Sequence, residues 1–200
     1  MRTLEEAALA ASTCTRCRLA ETRTQVVYGA GDPDADLVFI GEAPGFHEDA
    51  QGVPFVGAAG QLLDKLLAEV GIRRDDVHIS NTVLCRPPGN RDPRPDETEA
   101  CRPWLDERLG IIDPAVIVTL GNWATRYVLG PSISISRVRG QRFTWQGRTV
   151  IPTFHPAAVL HGGGERSRQM SQMRADFLEI RAALEEHRPP VVLEEQLGLF

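Results

Sequence analysis

Two short apolar runs constrain this chain most. Leu37-Val38-Phe39-Ile40 stops at Gly41 and Ala115-Val116-Ile117-Val118-Thr119-Leu120 stops at Gly121, and a further strand is expected over residues 77–83. A strand that is apolar at successive positions has both faces covered, which is the habit of parallel sheets. Helical patterns lie between these runs. Leucines at 62, 63, 66 and 67 mark a helix over residues 58–70, ended by Gly71. Further helices are expected over residues 3–11 and 97–109, in a short stretch ending at Leu129, and over residues 167–186. Phe143-Thr144-Trp145 and Thr149-Val150-Ile151 flank Gln146-Gly147-Arg148 as the arms of a hairpin whose second arm enters the sheet. The alternation predicts an α/β fold of three layers, α/β/α, around a central, mostly parallel four-stranded sheet.

The size fits one domain: 200 residues, 42% of them hydrophobic. No apolar run approaches the roughly 20 residues that span a bilayer, and Met1-Arg2-Thr3-Leu4-Glu5-Glu6 is not the start of a secretory signal. We therefore expect no membrane association and a cytoplasmic protein. Arg188-Pro189-Pro190 ends the last helix, dividing a domain over residues 1–187 from a tail over 188–200. The net charge of −5 argues against a polyanionic partner, yet binding uses a patch rather than a sum. Between Pro131 and Arg174, seven arginines (137, 139, 142, 148, 166, 168 and 174) accompany one acid, Glu165, so this stretch carries +6 and the remainder −11. It reads either as a plain preference for arginine or as a phosphate-facing surface on an acidic protein.

Each strand leads into a loop of unusual composition: Gly41-Glu42-Ala43-Pro44-Gly45, Asn81, Gly121-Asn122, and Phe154-His155-Pro156-Ala157. Open α/β sheets bind ligands at the carboxyl ends of their strands, so these segments should converge on one pocket. The cysteines are Cys14, Cys17, Cys85 and Cys101. Without a secretion signal, disulfides are a poor reading. The two-residue spacing of Cys14 and Cys17 favours a shared metal site, and spacing alone leaves zinc and an iron–sulfur cluster open.

Gly41-Glu42-Ala43-Pro44-Gly45, Glu48-Asp49, Pro54-Phe55-Val56-Gly57, Asn81 ahead of Cys85-Arg86-Pro87-Pro88, and His155-Pro156-Ala157 occur in that order. This set, together with the four cysteines, resembles the family 4 uracil-DNA glycosylases over most of the chain. The resemblance implies a uracil-DNA glycosylase-like fold. It also implies a [4Fe-4S] cluster on Cys14, Cys17, Cys85 and Cys101, and a monomeric enzyme that excises uracil from DNA. Such an enzyme flips the target nucleotide into a pocket, where positive charge develops on the sugar and negative charge on the departing base.

On that reading Asn81 accepts from uracil N3–H and donates to O4, a pattern that cytosine reverses. Phe55 stacks on the base, and His155 donates to O2 as charge accumulates there. Glu42 orients water or supports the cationic sugar, in a loop where Ala43 fills the slot that carries an Asp in the best-known branch of the superfamily. Glu48 touches the C5 edge of uracil, and Gly41 lets the backbone approach the base. After His155, a loop up to Arg168 enters the DNA, with Leu160 as an apolar wedge and Arg166 and Arg168 on phosphates. The terminal Gln196-Leu197-Gly198-Leu199-Phe200 resembles the pentapeptide with which bacterial repair proteins dock on the polymerase sliding clamp, Gln196, Leu197, Leu199 and Phe200 making the contacts. That places the protein at the nucleoid.

The rivals are a member that traps uracil-DNA without turnover, a glycosylase of broader damaged-base specificity, and a non-enzymatic iron–sulfur DNA-binding module. The trapping branch uses an additional His before the His-Pro motif, and this chain has none between Pro131 and Phe154. A binding module would not need Glu42, Phe55, Asn81 and His155 together.

Overall fold

The computed structural model describes residues 2–187. Six strands run through it: β1 (Ala30–Gly31), β2 (Leu37–Gly41), β3 (His78–Asn81), β4 (Val116–Leu120), β5 (Phe143–Trp145) and β6 (Arg148–Thr153). They form one sheet in the order β1-β3-β2-β4-β6-β5. The four inner strands β3, β2, β4 and β6 are parallel, as expected. The expected count of four is corrected to six, because β1 and β5 close the two edges antiparallel. The hairpin arm β5 was visible in the sequence. β1 is two residues long and has no apolar pattern; it fits against β3 because Gly31 has no side chain to strike the Val77 carbonyl.

The helices are α1 (Leu4–Ser12), α2 (Phe46–Gln51), α3 (Ala58–Glu69), α4 (Pro95–Ile112), α5 (Gly121–Leu129), α6 (Ile135–Val138), α7 (Pro156–His161) and α8 (Arg168–His187). Their ends follow local chemistry. Thr3 caps α1 reciprocally with Glu6: its hydroxyl accepts from the Glu6 amide at 3.2 Å, and Glu6 accepts from the Thr3 amide at 2.9 Å. Pro95 and Asp96 extend α4 ahead of the expected Glu97, since proline needs no amide partner in a first turn. The segment after His155, expected as a loop, holds the short helix α7 and a 3-10 turn over Gly164–Arg166.

Alternation along the strands splits the core. Leu37, Phe39, Val116, Val118 and Ile151 pack with the leucines of α3 and with Met173 and Phe177 of α8. Val38, Ile40, Ile117 and Val150 face Leu105 and Leu109 of α4 and Ala124 and Val128 of α5 on the other side. Both faces are therefore dry, which explains the unbroken apolar runs. A third cluster joins α1, the chain after β3 and α4 through Ala7, Ala11, Leu84, Cys85, Cys101 and Trp104.

Register levels the carboxyl edge of the sheet. Gly41 lies beside Asn81, and Leu120 beside Thr153. Beyond β3, the Thr82 and Val83 amides donate to the Gly41 and Glu42 carbonyls at 3.0 and 3.2 Å, so pairing continues into the loop after β2. The chain thus delivers Glu42, Asn81 and His155 from three parallel strands to one edge.

Candidate active site and cysteine centre

A cavity of about 600 Å³ opens at that edge, lined by Glu42, Ala43, Glu48, Phe55, Asn81 and His155 among others. Asn81 and His155, far apart in sequence, face one space. Gly41 makes the arrangement possible: a Cβ there would strike the Asn81 amide oxygen and sit 2.8 Å from the Phe55 ring. Phe55 is buried and its ring lies 5.6 Å from the His155 ring, tilted by 33°. Its backbone is left-handed, with φ of 54°, an uncommon conformation for a side chain of this bulk. Two contacts hold it there. Gly60 in the first turn of α3 leaves room for the Phe55 carbonyl, where any Cβ would collide. Glu48 accepts from the Val56 and Gly57 amides at 3.0 and 2.9 Å and from the Gly45 amide at 3.1 Å. Both Glu48 oxygens are thereby engaged with backbone, which makes it a brace for the loop that carries Phe55.

The Asn81 amide oxygen is buried without a hydrogen-bond partner. Such an acceptor is costly unless a ligand satisfies it. His155 Nδ1 accepts from the Ala157 amide at 3.2 Å, capping α7. Burial holds this imidazole at about 4, so the ring is neutral at neutral pH. With Nδ1 an acceptor, the proton resides on Nε2, which remains a donor. Burial, with a smaller contribution from the Asp92 charge, pushes the Glu42 carboxyl up to about 7. A carboxyl titrating near neutrality is poised for general acid–base work.

Asn90, Arg91 and Asp92 also line the cavity and were missed in the sequence. Arg91 makes a bidentate pair with buried Glu97 at 2.6 and 2.9 Å, and Glu97 also accepts from the Arg94 amide at 2.8 Å. The prolines and arginines of residues 86–95 are the mark of a loop, but nothing local points it at the cavity. Asp92 also borders an adjoining hollow of about 360 Å³ shared by Glu42, Gly121 and His155. Gly121 serves by its smallness, since a Cβ there would come 3.0 Å from the His155 Cβ. Asn122 turns aside to accept from the Ile135 amide at 2.9 Å.

Leu160 is exposed on α7, Arg166 ends the 3-10 turn, and Arg168 begins α8. The reading of the seven arginines as one phosphate-facing surface is corrected. Arg139 pairs with Asp176, Arg142 with Glu179 and Glu186, Arg148 with Asp113, and Arg174 with Glu69. Arg166 and Arg168 make no ion pair among the described residues.

Cys14, Cys17, Cys85 and Cys101 line one small enclosed pocket, all with free thiols. Trp104 Nε1 donates to Cys14 Sγ at 3.2 Å, and Arg23 donates to Cys85 Sγ at 3.4 Å and to the Cys14 carbonyl at 2.6 Å. Burial pushes the Cys101 thiol up to about 12. No group of three or more His, Cys, Asp or Glu among the described residues could close on one metal ion as it stands. Arg108, two turns beyond Cys101 on α4, is fully buried, lies 4.2 Å over the Tyr28 ring, and has no hydrogen-bond partner for any guanidinium nitrogen. A buried cation without a counter-charge is expensive, so the donor set and its surroundings fit a net-negative group held by the thiolates.

The expected contacts of Gln196, Leu197, Leu199 and Phe200 lie outside the described residues. No helix among the described residues is long and apolar enough to cross a membrane.

The family model of the uracil DNA glycosylase superfamily matches residues 28–179. The type-4 uracil-DNA glycosylase of Sulfurisphaera tokodaii is 44% identical over 190 residues, covering 90% of this chain and 84% of that protein. The type-4 enzyme of Thermotoga maritima is 49% identical over 159 residues, covering 78% and 83%. That of Archaeoglobus fulgidus is 42% identical over 188 residues, covering 90% and 92%.

Proposed function

The chain belongs to the uracil DNA glycosylase superfamily, and from that membership and the chemistry of the cavity we propose that it flips uracil out of DNA and hydrolyses the N-glycosidic bond, leaving an abasic site for base excision repair. The buried, unsatisfied amide oxygen of Asn81 carries this reading. Uracil N3–H supplies the donor it lacks; cytosine offers an acceptor at that position and would leave two acceptors facing each other. Phe55 stacks on the base. His155 donates from Nε2 to O2, and this bond strengthens as the leaving base becomes anionic, with no proton transferred. Glu42, once ionised, orients the attacking water or stabilises the sugar cation. Glu48 acts through the Phe55 loop rather than on the C5 edge. Arg166 and Arg168 contact phosphates, and Leu160 enters the vacated stack.

A [4Fe-4S] cluster is the group that best suits the cysteine pocket. A cluster needs its sulfurs further apart than a single zinc ion does, and its negative charge would answer Arg23 and Arg108. When bound it would supply a rigid tie among three chain segments, while glycosidic hydrolysis needs no electron transfer. The enzyme acts as a monomer near the nucleoid, and its terminal Gln196-Leu197-Gly198-Leu199-Phe200 docks on the sliding clamp. Deleting those five residues should abolish clamp binding in a pull-down and spare excision on short oligonucleotides.

Incubation with a uracil-containing oligonucleotide, followed by alkali, tests the activity. Strand scission is expected at the uracil, and an intact strand would overturn the reading. Covalent retention of the protein on the oligonucleotide would favour the trapping alternative.

A further inference from the structure

Beside the cavity one aromatic ring stands uncovered. Phe46, the first residue of α2, is 58% exposed. The preceding Pro44 and Gly45 line the cavity, so Phe46 follows directly on its wall. Arg86 reaches over this ring, its guanidinium carbon 5.0 Å from the centroid. His47 meets the ring edge-on, with centroids 5.5 Å apart and planes at 82°. Arg86 Nε donates to Asn90 Oδ1 at 2.7 Å, and no acid is paired with the guanidinium among the described residues. Asn90 and Pro87, next to Arg86, line the cavity too.

An exposed ring capped by an unpaired cation has the two chemistries of a nucleotide site: a flat apolar face for a base and a charge for a phosphate. Its continuity with the cavity identifies the occupant. We propose that Phe46 and Arg86 form a stacking platform for the unpaired base next to the extruded uracil in single-stranded DNA, the ring meeting the base and the guanidinium its phosphate. The proposal rests on the reading of the cavity as a uracil site. In duplex DNA the neighbouring base is already paired and stacked, so the platform adds little there.

Binding, rather than turnover, gives the test. The probes are labelled oligonucleotides carrying 2′-fluoro-deoxyuridine, whose fluorine resists the cationic transition state, as a single strand and as a duplex. Phe46→Ala should weaken single-strand binding about tenfold and duplex binding less than twofold. Phe46→Trp should restore it, and Leu178→Ala, at an exposed apolar site on α8, should change neither. In a single strand whose neighbouring nucleotide is abasic on either side, wild type should lose the same factor and Phe46→Ala should lose no more. Equal losses on single strand and duplex, or no loss on either, would overturn the platform. Wild-type failure to excise ordinary uracil would instead overturn the enzyme reading, with these affinities still deciding the platform.

Discussion

His155 is a neutral ring at neutral pH because its surroundings disfavour the cation. The Ala157 amide occupies Nδ1, and burial depresses protonation to about 4. Glu42 is the opposite case, a carboxyl raised to about 7. Between the ordinary range near 4.5 and that value, the folded protein holds a proton on Glu42 that the unfolded chain has released. This group therefore favours folding at low pH, and that contribution is lost as pH rises through about 7. Glu42→Gln should melt higher than wild type at about pH 8 and no higher at about pH 5, while excision falls by about 10²-fold or more at neutral pH. The wild-type pH–rate profile should rise through about 7, and the Gln profile should be flat there. A variant with both the stability and the profile of wild type would remove Glu42 from the chemistry. Of these states the sequence showed only which residues were present; neither the tautomer nor the raised carboxyl can be read without the neighbours that impose them.

The loop between α2 and α3 illustrates how elements position a side chain. The family resemblance implied a Phe55 ring that stacks on a base, but not what holds it. Three backbone amides on Glu48 and the bare surface of Gly60 do so. Gly60→Ala places a methyl group on the Phe55 carbonyl, so it should destabilise the protein by about 1–3 kcal/mol and raise KM for uracil-DNA, read by thermal melting and steady-state kinetics. Unchanged melting would mean that the loop relaxes freely. The long apolar elements β2, β4, α3 and α8 were legible because period and length are local properties. The six-residue α7 was not: it is too short for a period to show, and its start depends on a histidine cap. The loop with Asn90, Arg91 and Asp92 was legible as a loop alone, since its direction is set by the pairing of Arg91 with Glu97.

Across the molecule, the cysteine centre and the cavity are built on shared segments. β3 leads to Asn81 and on to Cys85, and α4 carries both Cys101 and Glu97. Cys85 and Cys101 thus flank the loop that borders the cavity. Cys85→Ser should lower the melting temperature and bleach any visible absorption before it slows excision by the fraction still folded; unchanged melting would separate the centre from the fold. The charge balance shows the limit of counting residues, because four of the seven clustered arginines are spent on internal pairs. Apolar runs, their lengths and the order of the motifs were enough to specify a parallel sheet and the residues at its carboxyl edge, since strand pairing and burial follow from local pattern. Which of those residues meet, which arginines stay free and which proton each group holds depended on contacts between segments as far apart in the chain as Glu69 and Arg174. Distance, burial and charge act through space, and linear spacing does not encode them.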